Sequence, residues 1–195
     1  MLFNLVDSFY DSNELGLIVL NFLNLPFEAT HQSKKQYYGE SRLQSYPCYE
    51  TEAMKPSNKE GFSTYNIFKN TLEKKIGIKP FHIHTFFRKT KLEELQSSAS
   101  WGQHRPHTDG DNFDFAGLIY YNSNSIKDGT NFYNNQHDFE PTATLGARYN
   151  RCVIYKANVW HAPMPEQQVQ ERWVQPFFLI TEESTYKKWK DSNET

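Results

Sequence analysis

His107 and Asp109 stand two residues apart in "HRPHTDGDN", a polar stretch leading into the apolar "FAGLIYY". On an extended chain, residues i and i+2 point to the same side. An imidazole and a carboxylate so placed are two of the three protein ligands of a 2-His-1-carboxylate facial triad, which leaves other positions on the metal open. The second histidine must come from elsewhere, and after Asp109 only His137 and His161 remain. His137 lies in the polar "NNQHDFEPTA" and reads as a surface loop residue. His161 lies in "YKANVWHAPMP", after a strand-like segment and before Pro163 and Pro165, a better place for a rigid ligand.

A metal with open positions can chelate a 2-oxo acid and still accept dioxygen. A second carboxylate on that acid needs a partner inside the fold, and the arginine fork suits it. Arg172 opens "RWVQPFFLI", 172 − 161 = 11 positions after His161. A charge leading into an apolar strand must be paired if it is buried. The plainer reading of Arg172 is an ion pair with Glu166 or Glu171.

Rival metal sites fit less well. A calcium loop beginning at Asp109 would need Gly at its sixth position and Glu at its twelfth; Asp114 and Tyr120 stand there. Asp111 and Asp114 then read as solvated turn residues. "FHIHTFF" holds His82-x-His84, the spacing of a cupin metal pair, but Arg88 and Lys89 occupy the region where a cupin needs Glu. His82 and His84 read as partly buried strand residues, with one face free to line a pocket. Arg88 reads as a surface residue at a strand end or as a substrate contact. His104 and Arg105, beside the ligand loop, are further candidate substrate contacts. Trp101 is another, placed at the mouth of the site, whereas Trp160, next to His161, should face the other way, into the core.

The elements that must position these residues are legible from periodicity. "LFNLVDSFY" alternates as an opening strand. "DSNELGLIVLNFL" is a helical run capped by Asp11 or Ser12, and "FSTYNIFKNTLEKKIG" is a second helix. In that helix Ser63 should cap, Ile67, Leu72 and Ile76 should form the apolar face, and Gly77 should end it. Residues 30–59 are polar and broken by Gly39, Pro47 and Pro56; they read as loop, with a lid or substrate loop left open. From residue 80 the segments become short and rich in aromatic and β-branched residues: "FHIHTFFRK", "FAGLIYYN", "TNFYN", "RCVIYKA", "WVQPFFLITEE". Turn signals at "DGDN", "KDG" and "GARYN" separate them, which suggests a sandwich or barrel. The tail "STYKKWKDSNET" reads as a short charged helix.

Composition agrees. A length of 195 residues suits one domain, and 16% aromatic residues suit packed β-structure. A net charge of -2 without a sustained basic patch argues against a nucleic-acid partner. Cys48 and Cys152 stand alone, so neither a zinc knuckle nor a disulfide framework is expected. The N-terminus lacks a basic region before an apolar run, and "LGLIVLNFLNL" is too short to span a bilayer. A soluble cytoplasmic protein without a membrane partner is the expectation.

The order "HTD … IYYN … DGTNFY … RCVIYKANVWHAP … ERWVQPFFL" resembles the 2-oxoglutarate- and Fe(II)-dependent dioxygenases, on the prolyl 4-hydroxylase-like side, over roughly residues 100–181. The resemblance implies a double-stranded β-helix (jelly roll), mainly β with N-terminal helices. One oxygenase domain would then cover residues 1–195: helical support and loop over 1–79, the jelly-roll core over 80–182, and a tail over 183–195. It implies Fe(II) on His107, Asp109 and His161, with Arg172 on the distal carboxylate of 2-oxoglutarate. Tyr120 or Tyr121 would join Arg172; Tyr120 is preferred because "YYN" is similar to the family's "YLN". "DGTNF" resembles the family's "GGxxF", with Asp128 in place of the first Gly. The implied activity consumes O2 and 2-oxoglutarate, releases succinate and CO2, and hydroxylates a C–H bond. The substrate class, peptide or small molecule, is not readable. Two other functions fit the same elements. A non-catalytic jelly-roll binding or structural protein would not need the triad and Arg172 together. A cupin-type metalloenzyme would turn over without the oxo acid.

Overall fold

Strands buried on both faces dominate the computed structural model, which describes residues 3–29, 48–57, 61–97, 106–110, 112–164 and 167–193. The strands are β1 (Phe3–Val6), β2 (Glu28–Ala29), β3 (Tyr49–Glu50), β4 (His82–Thr85), β5 (Arg88–Lys91), β6 (Phe115–Tyr120), β7 (Thr130–Tyr133), β8 (Ala143–Leu145), β9 (Arg151–Lys156), β10 (Trp160–Pro163) and β11 (Glu171–Ile180). The helices are α1 (Ser12–Asn24), α2 (Phe62–Ile76), α3 (Leu92–Ser97) and α4 (Glu183–Asn193). The larger sheet runs β1-β9-β6-β11-β5-β3-β2, with β4 beside the far end of β11. The smaller runs β10-β7-β8, and every pairing in both sheets is antiparallel. This is a jelly roll, mainly β, with helices packed on the outer face of the larger sheet.

Period-two alternation divides the core. Odd-numbered Ile119 on β6 and Phe177 and Leu179 on β11 pack with Ile18, Phe22, Phe68 and Leu72 of α1 and α2. Even-numbered Ala116 and Tyr120 on β6 and Val174 on β11 point the other way, to Phe132 of the smaller sheet. On β9, Cys152 and Ile154 join the helical layer, while Val153 and Tyr155 join the space between the sheets.

β11 is central, and it contains Pro176, which cannot donate to a ladder. β4 and β5 both pair with the same edge of β11, through residues 177–180 and 171–174. Pro176 falls between them, and its carbonyl accepts from the Phe86 N–H and the Thr85 hydroxyl. Within a strand the N–H and C=O of one residue point to the same side. The missing donor therefore faces the break between β4 and β5.

Asp11 caps α1, accepting from the Asn13 and Glu14 N–H groups while the Glu14 carboxylate accepts from the Asp11 N–H. α2 departs from expectation. Its N-cap is Gly61, with no side-chain cap, and the Ser63 hydroxyl instead accepts from Asn21 of α1. Its buried stripe runs through Thr64, Phe68, Thr71 and Leu72, with Ile67 and Ile76 only partly buried. Gly77 ends it in the left-handed conformation, φ 78°. The first 79 residues supply the expected opening strand, β1, and two further strands, β2 and β3, where helix and loop dominate the expectation. Strands of two residues carry too little periodicity to show in sequence. The expected loop 30–59 holds β3 and the buried Met54; residues 30–47 and 58–59 lie outside those described. Among the described residues no helix is long and apolar enough to cross a membrane.

Asp114 is no solvated turn residue. Its carboxylate accepts from the Thr181 and Glu182 N–H groups and from the Thr181 and Thr185 hydroxyls, which fastens the start of α4. Burial works to raise its carboxyl, but these bonds outweigh burial and leave it below the ordinary 3.8. Stability from a depressed carboxyl is complete above the unfolded value and vanishes as pH falls through the folded one. Asp114→Ala should therefore cost about 1 kcal/mol in urea unfolding at neutral pH. The gap from wild type should close as pH falls below 3.8.

Candidate metal centre

His107 and His161 exchange both backbone hydrogen bonds, each N–H donating to the other's carbonyl at 2.9 Å. Two residues on, the Asp109 N–H donates to the Ala157 carbonyl at 2.9 Å. These bonds dock the stretch 106–110 onto β10 and the β9–β10 connection and bring His107 and Asp109 beside His161. The ligand atoms of His107, Asp109 and His161 lie within 4.8 Å of one another. The triad spacing expected from sequence is thus assembled in space.

Its electrostatics favour a cation. The Nδ1 of His161 lies 3.0 Å from the Val159 carbonyl, which can only accept. Nδ1 therefore carries the hydrogen, and Nε2 turns its lone pair toward Asp109 Oδ2, 3.5 Å away. Burial pushes the His161 imidazole down to about 4, against the Val159 carbonyl, so it is neutral at pH 7. Burial also pushes the Asp109 carboxyl up to about 6, opposed by the charges of His107 and Arg88 and by a hydrogen bond from Tyr155. The contact is therefore no ion pair. Two acceptors face each other, and only a proton or a cation can bridge them. Asp109 Oδ2 is buried without a hydrogen-bond partner, which costs an oxygen of a buried carboxylate at least ~1–3 kcal/mol.

Tyr155 is a part of this site that the sequence does not mark out. Its phenol bonds the Asp109 carboxylate, and its ring packs 4.6 Å from that of His161. The only signal was position: it lies two strand residues from Val153, on the inner face of "RCVIYKA".

Arg172 lies further along the same interior, 5% exposed. Its guanidinium sits 5.5 Å from the Tyr120 ring centre, one Nη2 hydrogen reaches the Gly129 carbonyl at 3.4 Å, and its Nε has no partner. The Glu171 carboxylate takes the Trp173 indole N–H instead, and Glu166 lies outside the described residues. The Tyr120 hydroxyl is 2.7 Å from that of Thr130, a residue the sequence did not single out. Tyr121 faces the helical layer, where its hydroxyl donates to Gln175. Gly129 cannot be replaced cheaply: a Cβ there would stand 1.8 Å from the Leu145 carbonyl oxygen.

The ladder between β7 and β10 sets the spacing of the two ends. Thr130 faces Pro163 and Phe132 faces His161, so the ends are two strand residues apart. That is roughly 7 Å, the length of a short dicarboxylic acid.

The other expected contacts divide. The His84 ring packs against Phe86, Phe113 and Phe178, and neither His82 nor His84 joins the metal cluster, which removes the cupin arrangement. Arg88 is held by the buried carboxylate of Glu50 through both Nε and Nη2, and its charge acts on Asp109. It is not a loose surface residue. His104, Arg105, Trp101 and Asp111 lie outside the described residues. Trp160 is only partly buried and joins neither apolar cluster, contrary to expectation. His137 is exposed and Cys152 fully buried, as expected.

No protein-family model and no curated protein matches the chain. Its fold is similar to solved structures. One is a prolyl hydroxylase from Trichoplax adhaerens in complex with a hypoxia inducible factor peptide fragment, at 12% identity over 99% of this chain and 87% of that one, TM-score 0.62. Another is a Pseudomonas putida prolyl-4-hydroxylase, at 10% identity over 91% and 92%, TM-score 0.58. A third is HygX from Streptomyces hygroscopicus with nickel, 2-oxoglutarate and hygromycin B bound, at 10% identity over 92% and 83%, TM-score 0.57. At such identities the likeness is one of fold.

Mn(II) titration, read by calorimetry, tests the cluster. Affinity should weaken as pH falls through about 6, where protons compete for Asp109. His161→Ala should abolish binding. Tyr155→Phe should weaken it by roughly tenfold or more, as loss of a ligand's supporting partner does.

Proposed function

We propose that this chain, which has the fold of the 2-oxoglutarate- and Fe(II)-dependent oxygenases in its prolyl 4-hydroxylase-like form, is itself an oxidoreductase of that chemistry, hydroxylating a substrate C–H bond. One observation carries the reading. The interior offers a His–carboxylate cluster at one end and a buried, incompletely bonded Arg172 at the other, and the strand residues beside them, Phe132 and Thr130, are two positions apart on β7.

The donor set fits both groups. His107, Asp109 and His161 would hold Fe(II), whose preference for imidazole and carboxylate with open positions suits them. Arg172 would hold the distal carboxylate of 2-oxoglutarate, with the Tyr120 and Thr130 hydroxyls beside it. When bound, iron, 2-oxoglutarate and O2 supply the oxidising power, with release of CO2 and succinate. The chain's own residues do the rest. The Val159 carbonyl fixes the His161 tautomer, and Tyr155 steadies the Asp109 carboxylate. Phe132, Val153 and Val174 keep the space between the sheets apolar and short of water. Substrate would enter near His107, the exposed member of the triad, past His84 and Arg88. His104, Arg105 and Trp101 remain candidate contacts from the sequence. A peptide or a small molecule are both consistent with the partners named for the similar structures.

The test is anaerobic. Fe(II) and then 2-oxoglutarate should produce a visible charge-transfer band from the chelate. His161→Ala should abolish it, and Arg172→Ala should weaken the oxo acid by about tenfold or more, through loss of a charge-assisted pair. No band from folded, iron-loaded protein would discard the oxygenase reading in favour of a jelly-roll binding protein.

A further inference from the structure

Among the described residues, three buried side-chain atoms have no hydrogen-bond partner: Asp109 Oδ2, Arg172 Nε and Gln167 Oε1. The first two belong to the metal and diacid ends already described. Gln167 has no role yet. Its amide orientation is fixed by chemistry. Nε2 lies 3.1 Å from the Thr90 carbonyl and 2.9 Å from the Val169 carbonyl, and both can only accept. Nε2 must donate to them, so Oε1 must face elsewhere.

The backbone places that oxygen at the diacid end. Thr90 is the residue directly opposite Arg172 in the β5–β11 ladder, so the Gln167 amide sits on the Arg172–Thr90 pair. The next two residues are anchored to the same spot. The Gln168 and Val169 N–H groups donate to Asp128, whose neighbour Gly129 supplies the carbonyl that Arg172 uses. An orphaned acceptor needs a donor, and a ligand carboxylate has none. The Tyr120 and Thr130 hydroxyls already bond each other. The donor lacking an acceptor is the Arg172 Nε–H.

We propose that Gln167 is a positioning residue of the diacid pocket, its Oε1 taking the Arg172 Nε–H when a carboxylate seats. Arginine has five N–H donors. With Nε on Gln167, one Nη2 hydrogen on Gly129 and another N–H on the Tyr120 hydroxyl, the two remaining Nη hydrogens are left to grip the ligand carboxylate. A guanidinium held in one plane loses less freedom on binding. The inference rests on the oxo-acid reading above.

Binding tests it by calorimetry on Mn(II)-loaded protein. Pyruvate shares the oxo-acid head of 2-oxoglutarate but lacks the second carboxylate. Gln167→Leu should weaken 2-oxoglutarate by about tenfold, the loss of one hydrogen bond to a charged group, and leave pyruvate unchanged. In an Arg172→Ala background the same substitution should have no further effect. Gln167→Met keeps the side-chain length and serves if the Leu variant does not fold. Equal weakening of both acids, or additive losses in the double variant, would reduce Gln167 to a structural residue. An unchanged 2-oxoglutarate affinity in Gln167→Leu would overturn the inference alone. Wild-type protein that takes Mn(II) but not 2-oxoglutarate would overturn the oxo-acid reading and this inference with it.

Discussion

A sheet covered on both faces obeys a strict rule: each residue's parity decides which of two buried spaces its side chain enters. In the larger sheet one space is filled by α1 and α2 and the other lies against the smaller sheet. Arg172, Val174 and Phe178 share one face of β11, while Trp173, Phe177 and Leu179 share the other. A slip of one residue would turn Arg172 into the helical layer and bring Trp173 into the site. The aromatic packing of Phe22 on Trp173 and of Phe68 on Phe177 therefore does more than stabilise the helices. It holds the register on which the interior chemistry depends.

The same rule separates two polar systems within the fold. Gln175 is fully buried on the helical side and satisfied: it accepts from the Tyr10 and Tyr121 hydroxyls and donates to Thr85. On the other side, Asp109, Arg172 and Gln167 each keep an atom without a partner. Buried polar groups are ordinarily paired, because desolvation without a hydrogen bond costs about 1–3 kcal/mol each. A fold that satisfies one side and leaves the other short concentrates its deficit where a ligand could make it good, and that contrast separates the candidate site from the structural core.

How much of this was legible follows from the range of each signal. α1 with its Asp11 cap, the long strands β6, β9 and β11, and the terminal helix rest on local periodicity, and they are visible in the chain. The cap of α2, the two-residue strands β2 and β3, and the tethering of α4 by Asp114 are not. Each depends on a partner distant in sequence: Ser63 is taken by Asn21, Glu50 by Arg88, and Asp114 by Thr181. Tyr155 and Thr130 escaped notice because an aromatic or a threonine on a strand is unremarkable until something stands opposite it.

By itself the sequence determined the chemical types and their order: the His-x-Asp pair, a later histidine between a strand and two prolines, and an arginine entering an apolar strand. Residue type and short-range periodicity are local properties, and these features need nothing more. Tertiary structure alone decided that the His107 backbone lies opposite His161, that Tyr120 rather than Tyr121 meets Arg172, and that Gln167 rests on the Arg172–Thr90 pair. Those facts depend on strand register, which is fixed by packing across two buried faces at once and is written in no single segment of the chain.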